Sequence, residues 1–242
     1  MPNMVTSAAK PAPRSDHKFY LTVSLALALI VFVGFAPTYY LKHLFHGEAL
    51  PLLVHVHGFV MTLWYGLFIT QVLLVAKDRV DLHQKLGYAG LFLSAAVALL
   101  GTVVSIGLAQ RRLHANPNST LGPFLLGLQL FSIVLVFIVL ISLAVFYRRR
   151  PDYHKRFMTL AMLTVLGPAV VRLPGINDHN IPAAIAIGIS LTLICIIVDS
   201  VRNRHLHPAF GWGGAAVIGS IFVVAPFAQS AAWIHFVRRL LI

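Results

Sequence analysis

Long hydrophobic stretches constrain the fold of this chain more than any other feature. Seven of them occur, at about 19–41, 50–76, 86–109, 121–147, 156–173, 181–201 and 212–237. A helix needs about 20 apolar residues to cross a bilayer, where no water can satisfy backbone polar groups. Only 11% of the 242 residues are charged, against roughly 25% in soluble domains. The sequence therefore predicts an all-α fold: a polytopic membrane helix bundle with seven transmembrane helices.

The distribution of positive charge predicts how the bundle is oriented. Most lysines and arginines fall in the N-terminal tail and in the second, fourth and sixth loops. Cytoplasmic loops of membrane proteins are enriched in these residues, so the N terminus is expected in the cytoplasm and the C terminus outside. The basic loops are expected to contact anionic lipid headgroups. Despite a net charge of +12, no nucleic acid partner is needed to explain them.

The polar N-terminal segment predicts a simple domain organisation. Residues 1–17 contain three prolines and are expected to form a disordered cytoplasmic tail. The first hydrophobic stretch is longer than the roughly 7–15 apolar residues of a signal peptide, which favours a retained helix. Residues 18–242 are then predicted to form a single seven-helix transmembrane domain.

A short pattern recurs where three of the predicted helices begin on the cytoplasmic side. Arg79–Leu86 and Arg150–Phe157 both read Arg-x-Asp-x-His, and His207–Gly214 resembles His83–Gly90. The repeats divide the bundle into one initial helix followed by three helical hairpins. This organisation predicts that the three histidine-bearing helix starts lie on the same side of the membrane.

If the hairpins circle a common axis, His83, His154 and His207 converge and are candidate cofactor-binding residues. Three acids are available to orient these imidazoles, as in many metal sites: Asp81, Asp152 and Asp199. A second interpretation needs no cofactor. Acids near a helix start favour the helix dipole, and the surrounding arginines and lysines, which oppose binding of a cation, contact lipid instead.

The remaining histidines lie mostly in the predicted outer half. Neutral imidazole is a common ligand of haem iron, copper and zinc. The candidate metal ligands are His55, His57, His43, His46 and His179. Residues i and i+2 lie on opposing sides of a regular helix and also alternate in an extended or unwound segment after Pro51, so His55 and His57 share a site only if a metal draws them together. Hydrogen bonding at the membrane interface explains the same residues without a metal.

Prolines and polar side chains indicate a cavity in this outer half. Pro37, Pro168 and Pro226 each remove a backbone hydrogen bond from a predicted helix and can kink it. Gln129 lies about two turns inside the bundle, and Arg172 ends the fifth stretch. Polar residues at such depth usually face the bundle interior or water, which makes these two candidate substrate-binding residues.

Motifs for several familiar reactions are missing from the sequence. It contains no Cys-x-x-Cys-His, Gly-x-x-x-x-Gly-Lys-Ser/Thr, Gly-x-Ser-x-Gly or His-Glu-x-x-His. Covalent haem attachment, nucleotide hydrolysis and common hydrolase chemistry are therefore unsupported.

Three segments carry a resemblance to known proteins. Together, His55–Gly58, Asp81–Gly87 and Pro151–Met158 resemble an uncharacterised family of bacterial seven-helix, His-rich inner-membrane proteins, over most of residues 19–210. The segment His154–Met158 is also similar to small polytopic proteins linked to terminal-oxidase assembly. The resemblance implies a multi-pass protein of the bacterial cytoplasmic (inner) membrane, and it supplies no reaction or catalytic residue.

Three functions are compatible with the sequence. The first is binding of haem b or of copper, iron or zinc through histidines, for respiratory redox chemistry or cofactor assembly. The second is a non-enzymatic carrier or permease for a small molecule, with Gln129 and Arg172 at its site. The third is an accessory subunit of a respiratory membrane complex. Whether the protein is an enzyme stays open.

Overall fold

A computed structural model describes residues 14–45, 49–176 and 180–242, in which all regular secondary structure is helical. Six of the helices are long and apolar enough to cross a membrane. They span Asp16–Tyr40, Leu52–Ala76, Val80–Ala115, Leu121–Phe146, Ile181–Asn203 and Pro208–Gln229. The protein is thus an all-helical, multi-pass membrane protein, as the hydrophobic stretches predict.

The helices divide further where the backbone departs from α-helical geometry. In chain order they are α1 (Arg14–Phe35), α2 (Leu52–Ala76), α3 (Val80–Ala115), α4 (Leu121–Gly127), α5 (Leu135–Phe146), α6 (Pro151–Thr164), α7 (Gly167–Val170), α8 (Ile181–Asn203), α9 (Pro208–Gln229) and α10 (Ala231–Leu241). Two π-helical segments extend or join them: Ala36–Tyr40 follows α1, and Leu128–Val134 joins α4 to α5.

The first and third helices are longer than predicted. Helix α1 begins at Arg14, so residues 14–17 are helical and do not belong to a disordered tail; residues 1–13 lie outside the described ranges. Helix α3 has 36 residues, which corresponds to about 54 Å at 1.5 Å per residue. Since a bilayer core is about 30 Å thick, α3 extends well beyond the hydrocarbon region.

The fifth hydrophobic stretch does not form one continuous helix. Helix α6 ends at Thr164 and α7 begins at Gly167, with Pro168 in its first turn. Proline disfavours helical geometry in the preceding residue and lacks a backbone donor, which accounts for a break here. The predicted span at 156–173 is therefore two short helices, both of which contact α1.

The α6–α7 pair forms the centre of the bundle. At one end Lys155 Nζ lies 2.8 Å from Asp16 Oδ2 near the start of α1. At the other, Ala169 packs directly on Gly34, where a Cβ would overlap the Ala169 carbonyl. Between them Leu160 is fully buried, as are its neighbours Ala161 and Met162. We call the end of the molecule that contains Asp16 and Lys155 the Asp16 end. The opposite end, beyond Ala169, is the Arg172 end.

The last predicted helix is also interrupted. Helix α9 contains Pro226 and ends at Gln229, and the Ser230 hydroxyl accepts a hydrogen bond from Trp233 N (3.3 Å) to begin α10. The Trp233 indole donates to the Pro123 carbonyl at 2.8 Å. Helix α10 is thereby fixed against α4 at the Arg172 end.

A buried ion pair joins α6 to α8 at the Asp16 end. Arg156 Nε and Nη2 donate to the two carboxylate oxygens of Asp199 at 2.8 and 3.1 Å. The Tyr20 hydroxyl donates to the same carboxylate at 3.1 Å. Arg156 was expected among the lipid-contacting basic residues, but its side chain is only 2% exposed. It contacts α8 instead of lipid because Asp199 accepts from both Nε and Nη2, while Nη1 donates to the Asp152 carbonyl at 2.9 Å.

Candidate functional site

A cavity of about 570 Å³ lies between the helices towards the Arg172 end. Pockets for small molecules usually enclose about 300–1,000 Å³ and are mostly apolar. Its walls come from nearly every helix and are largely aliphatic, with Val31, Val97 and Val217 at their deeper parts. The space is large enough for a small organic molecule and suits an apolar one.

Three interruptions of α-helical backbone border this cavity. The π-helical segment Ala36–Tyr40 contributes both of its tyrosines, and the segment Leu128–Val134 contributes Gln129 and Ser132. The break between α6 and α7 contributes residues 164–169. Irregular backbone at membrane depth occurs where it is buried in protein or lines a cavity, and π-helical turns are frequent at functional sites. The interruptions therefore mark the cavity as the best candidate site.

Three of the candidate residues line the cavity together: His57, Gln129 and Arg172. The Nδ1 atom of His57 is buried and has no hydrogen-bond partner among the described residues. Arg172 donates to the Pro168 carbonyl at 2.7 Å, and its guanidinium carbon lies 4.9 Å from the centre of the Phe35 ring. These contacts hold Arg172 beside the α6–α7 break.

Among the described residues, the charged side chains on the cavity wall are all arginines. Arg111, Arg112 and Arg172 line it, and within the described ranges no acidic residue does. A guanidinium binds carboxylates and phosphates through several donors in a fixed geometry. The site can therefore stabilise a negatively charged group next to an apolar body.

The other predicted metal ligands do not join His57. His55 is exposed and is not part of the cavity lining; its backbone carbonyl accepts a hydrogen bond from Tyr39 Oη (3.1 Å). His43 is exposed in the turn that follows Tyr40. His46 and His179 lie outside the described residues. Among residues 14–45, 49–176 and 180–242, no group of three or more His, Cys, Asp or Glu is placed to hold a metal ion.

The three candidate cofactor histidines at the Asp16 end separate into a pair and a helix cap. The ring centres of His83 and His154 are 6.1 Å apart. His207 instead caps α9, since its Nδ1 accepts a hydrogen bond from Ala209 N (3.2 Å), and its ring packs on Tyr153. Burial lowers the pKa of His207, with a further contribution from the nearby Arg156 charge. A neutral ring is what this cap requires, because a protonated Nδ1 cannot accept.

The acids expected to orient these histidines pair with basic side chains. Asp81 Oδ1 lies 3.4 Å from Arg79 Nε, and Asp152 Oδ1 lies 3.4 Å from Lys155 Nζ. Asp199 pairs with Arg156. All three acids are therefore engaged in ion pairs, Asp81 and Asp152 in the first turns of α3 and α6 and Asp199 near the end of α8.

Two kinds of cavity residue are not among the candidates from the sequence. Ser132, whose buried hydroxyl has no partner among the described residues, is an ordinary small polar residue of a hydrophobic stretch. Tyr39 and Tyr40 fit an aromatic belt at the membrane interface equally well. The spacing of Gln129 and Ser132, three residues apart on one helix face, was the available signal.

Comparison with known proteins adds no constraint: no protein-family model, curated protein or solved structure matches this chain.

Proposed function

We propose that this protein is a non-enzymatic membrane carrier that binds an anionic amphipathic small molecule in the cavity at the Arg172 end. The observation that carries the proposal is one cavity of about 570 Å³ bordered by three backbone interruptions and lined by His57, Gln129 and Arg172. Interrupted helices around a polar-lined cavity are a recurring way in which membrane transporters build a binding site.

The lining supports a ligand with two chemically different parts. Its apolar body would lie against the aliphatic walls, where each buried CH₂ contributes about 0.8 kcal/mol. Its anionic head would lie near Arg172, within reach of hydrogen bonds from Gln129 and Ser132. A purely polar solute would leave the walls unmatched, and a cation would meet three arginines.

The orientation of the cavity follows from the predicted topology. With α6–α7 counted as one crossing, the chain has seven spans, an N terminus in the cytoplasm and a C terminus outside. Support for this count is that α6–α7 runs beside α1 from Asp16 to Gly34, about 27 Å at the α-helical rise. The cavity then faces the outer side of a bacterial inner membrane, and the basic loops at the Asp16 end contact anionic headgroups.

Haem b is a second candidate ligand, favoured by the buried and unpartnered His57 Nδ1 at the cavity wall. Haem combines an apolar macrocycle with two carboxylates, so it belongs to the same chemical class. His57 would hold the iron and the arginines would pair with the propionates. A role in respiratory redox chemistry or cofactor assembly would follow from haem binding. Binding of copper or zinc by the outer histidines stays a prediction, as does association with a respiratory complex.

Ligand binding can be tested in nanodiscs of neutral phosphatidylcholine. Dodecanoate should raise the Tm of the wild type, and dodecanol, which has the same chain without the charge, should raise it less. Arg172→Gln should remove the difference between the two probes. Arg239→Gln, at an exposed arginine of α10 outside the cavity lining, is the matched control.

The haem alternative has its own readout. Hemin added to the protein should show a Soret band that is sharper and red-shifted relative to free hemin. His57→Ala should abolish this change, while dodecanoate binding survives the substitution. Wild-type protein with equal Tm values in dodecanoate, dodecanol and buffer, and with the Soret band of hemin unchanged from that of free hemin, would contradict both ligands.

A further inference from the structure

A second cluster of unpartnered polar atoms lies at the Asp16 end, separate from the cavity. The Nδ1 atom of His83 and the Oε1 atom of Gln71 are both buried without a hydrogen-bond partner among the described residues. Gln71 faces the same part of α3 as His83, since a Cβ at Gly87, one turn further along, would lie 3.9 Å from Gln71 Nε2. Leaving such atoms unpartnered typically costs about 1–3 kcal/mol each, which calls for an explanation.

His154 completes this cluster from the start of α6. Its Nδ1–H donates to the Ala144 carbonyl at 2.8 Å, which fixes the tautomer and leaves the Nε2 lone pair available. A ring N–H donated to a backbone carbonyl is the usual arrangement of a metal-ligating histidine. His154 is therefore held by backbone in the orientation that a metal ligand needs.

The separation of the two rings suits a single ion between them. Metal–imidazole bonds are about 2.0–2.1 Å, so two rings on opposite sides of one ion have centres about 6 Å apart. The observed separation between His83 and His154 is 6.1 Å, with the ring planes at 88°. Both side chains are half-buried at helix starts, which leaves a route for an ion to enter.

The charges around the pair favour an ion of low charge. Asp81 and Asp152 pair with arginine and lysine, so the cluster offers neutral ligands only. The two cations closest in sequence to His154 are themselves compensated, Lys155 by Asp16 and Arg156 by Asp199. These ion pairs reduce the repulsion between the basic side chains and a bound cation. They do not supply the anionic ligand that a divalent ion would favour.

We infer that His83 and His154 form a binding site for a copper(I) ion, and that the unpartnered Gln71 amide oxygen is available as a third ligand. Imidazole is a good copper ligand, and a monovalent ion needs no carboxylate to balance its charge. His207 has no part in this site, since its Nδ1 caps α9. The inference is independent of the ligand proposed for the cavity at the Arg172 end.

Copper(I) supplied anaerobically as its acetonitrile complex, in competition with bicinchoninate, tests the site in purified full-length protein. The wild type should bind one copper(I) per chain. His83→Ala and His154→Asn should bind at least roughly 100-fold more weakly, since loss of an outer-shell partner alone costs 10–100-fold. His205→Ala, an exposed histidine at the same end, is the matched control and should bind like the wild type.

Two further measurements separate ligation from damage to the fold. His154→Asn places an amide N–H where the Nδ1–H donor to the Ala144 carbonyl lies, so its Tm should stay close to that of the wild type while copper(I) is lost. X-ray absorption of the loaded wild type should show imidazole scattering and no sulfur ligand. Wild-type affinity equal to that of His83→Ala, a sulfur ligand in the spectrum, or tighter binding of zinc(II) than of copper(I) would overturn the inference.

Discussion

The Arg156–Asp199 ion pair provides the sharpest test of how this bundle is held together. Both side chains are almost fully buried, with 2% and 3% exposure, and two hydrogen bonds of 2.8 and 3.1 Å join them. Asp199→Asn keeps the shape of the side chain and removes its charge. Because it leaves the Arg156 guanidinium buried and uncompensated, we expect a loss of about 3–5 kcal/mol in the free energy of unfolding. That corresponds to a shift of roughly 100-fold or more in the unfolding equilibrium.

The assay is reversible unfolding by SDS in mixed micelles, followed by helical circular dichroism. Arg79→Gln provides the matched control, since Arg79 and Asp81 form an ion pair that is more than half exposed and should contribute less than about 1 kcal/mol. Arg156→Met combined with Asp199→Leu should recover much of the loss, because buried ion pairs are often replaceable by apolar residues. The reasoning is refuted if Asp199→Asn costs less than about 1 kcal/mol, or if the double variant is no more stable than Asp199→Asn.

Two further predictions concern the helix cap and the helix contact. Burial lowers the pKa of His207 below its ordinary value of 6.5, so the neutral cap stabilises the fold above pH 6.5, and this stabilisation is lost as the pH falls below that value. His207→Asn keeps a capping acceptor and should flatten the dependence of Tm on pH between pH 7.5 and 5. A dependence unchanged from that of the wild type would contradict the cap. Gly34→Ala forces a Cβ onto the Ala169 carbonyl and should lower the free energy of unfolding by about 1–3 kcal/mol. Gly66→Ala is the control, since no atom lies within 4 Å of its Cβ, and it should be neutral or slightly stabilising. Equal Tm values for the two variants would exclude the close contact.

The sequence by itself determined the fold class, because hydrophobic length is a local property that no neighbour can alter. Each of the seven stretches is mainly helical within the described residues, although the fifth is broken between Thr164 and Gly167 and the seventh at Ser230. Gln129 and Arg172 were also found from the sequence as candidates, since polar groups at membrane depth are costly unless they face protein or water. Both line the cavity.

Tertiary structure alone decided which side chains meet. The hydrophobic stretch that contains α6 is among the more polar ones, yet it occupies the centre of the bundle. It can do so because Arg156 pairs with Asp199 and because Gly34, which has no Cβ, leaves room for the Ala169 backbone. The repeated histidine pattern looked threefold, but His207 is used by its own helix start, which leaves His83 and His154 as a pair. Such outcomes depend on contacts between residues distant in the chain, and a one-dimensional pattern does not contain them.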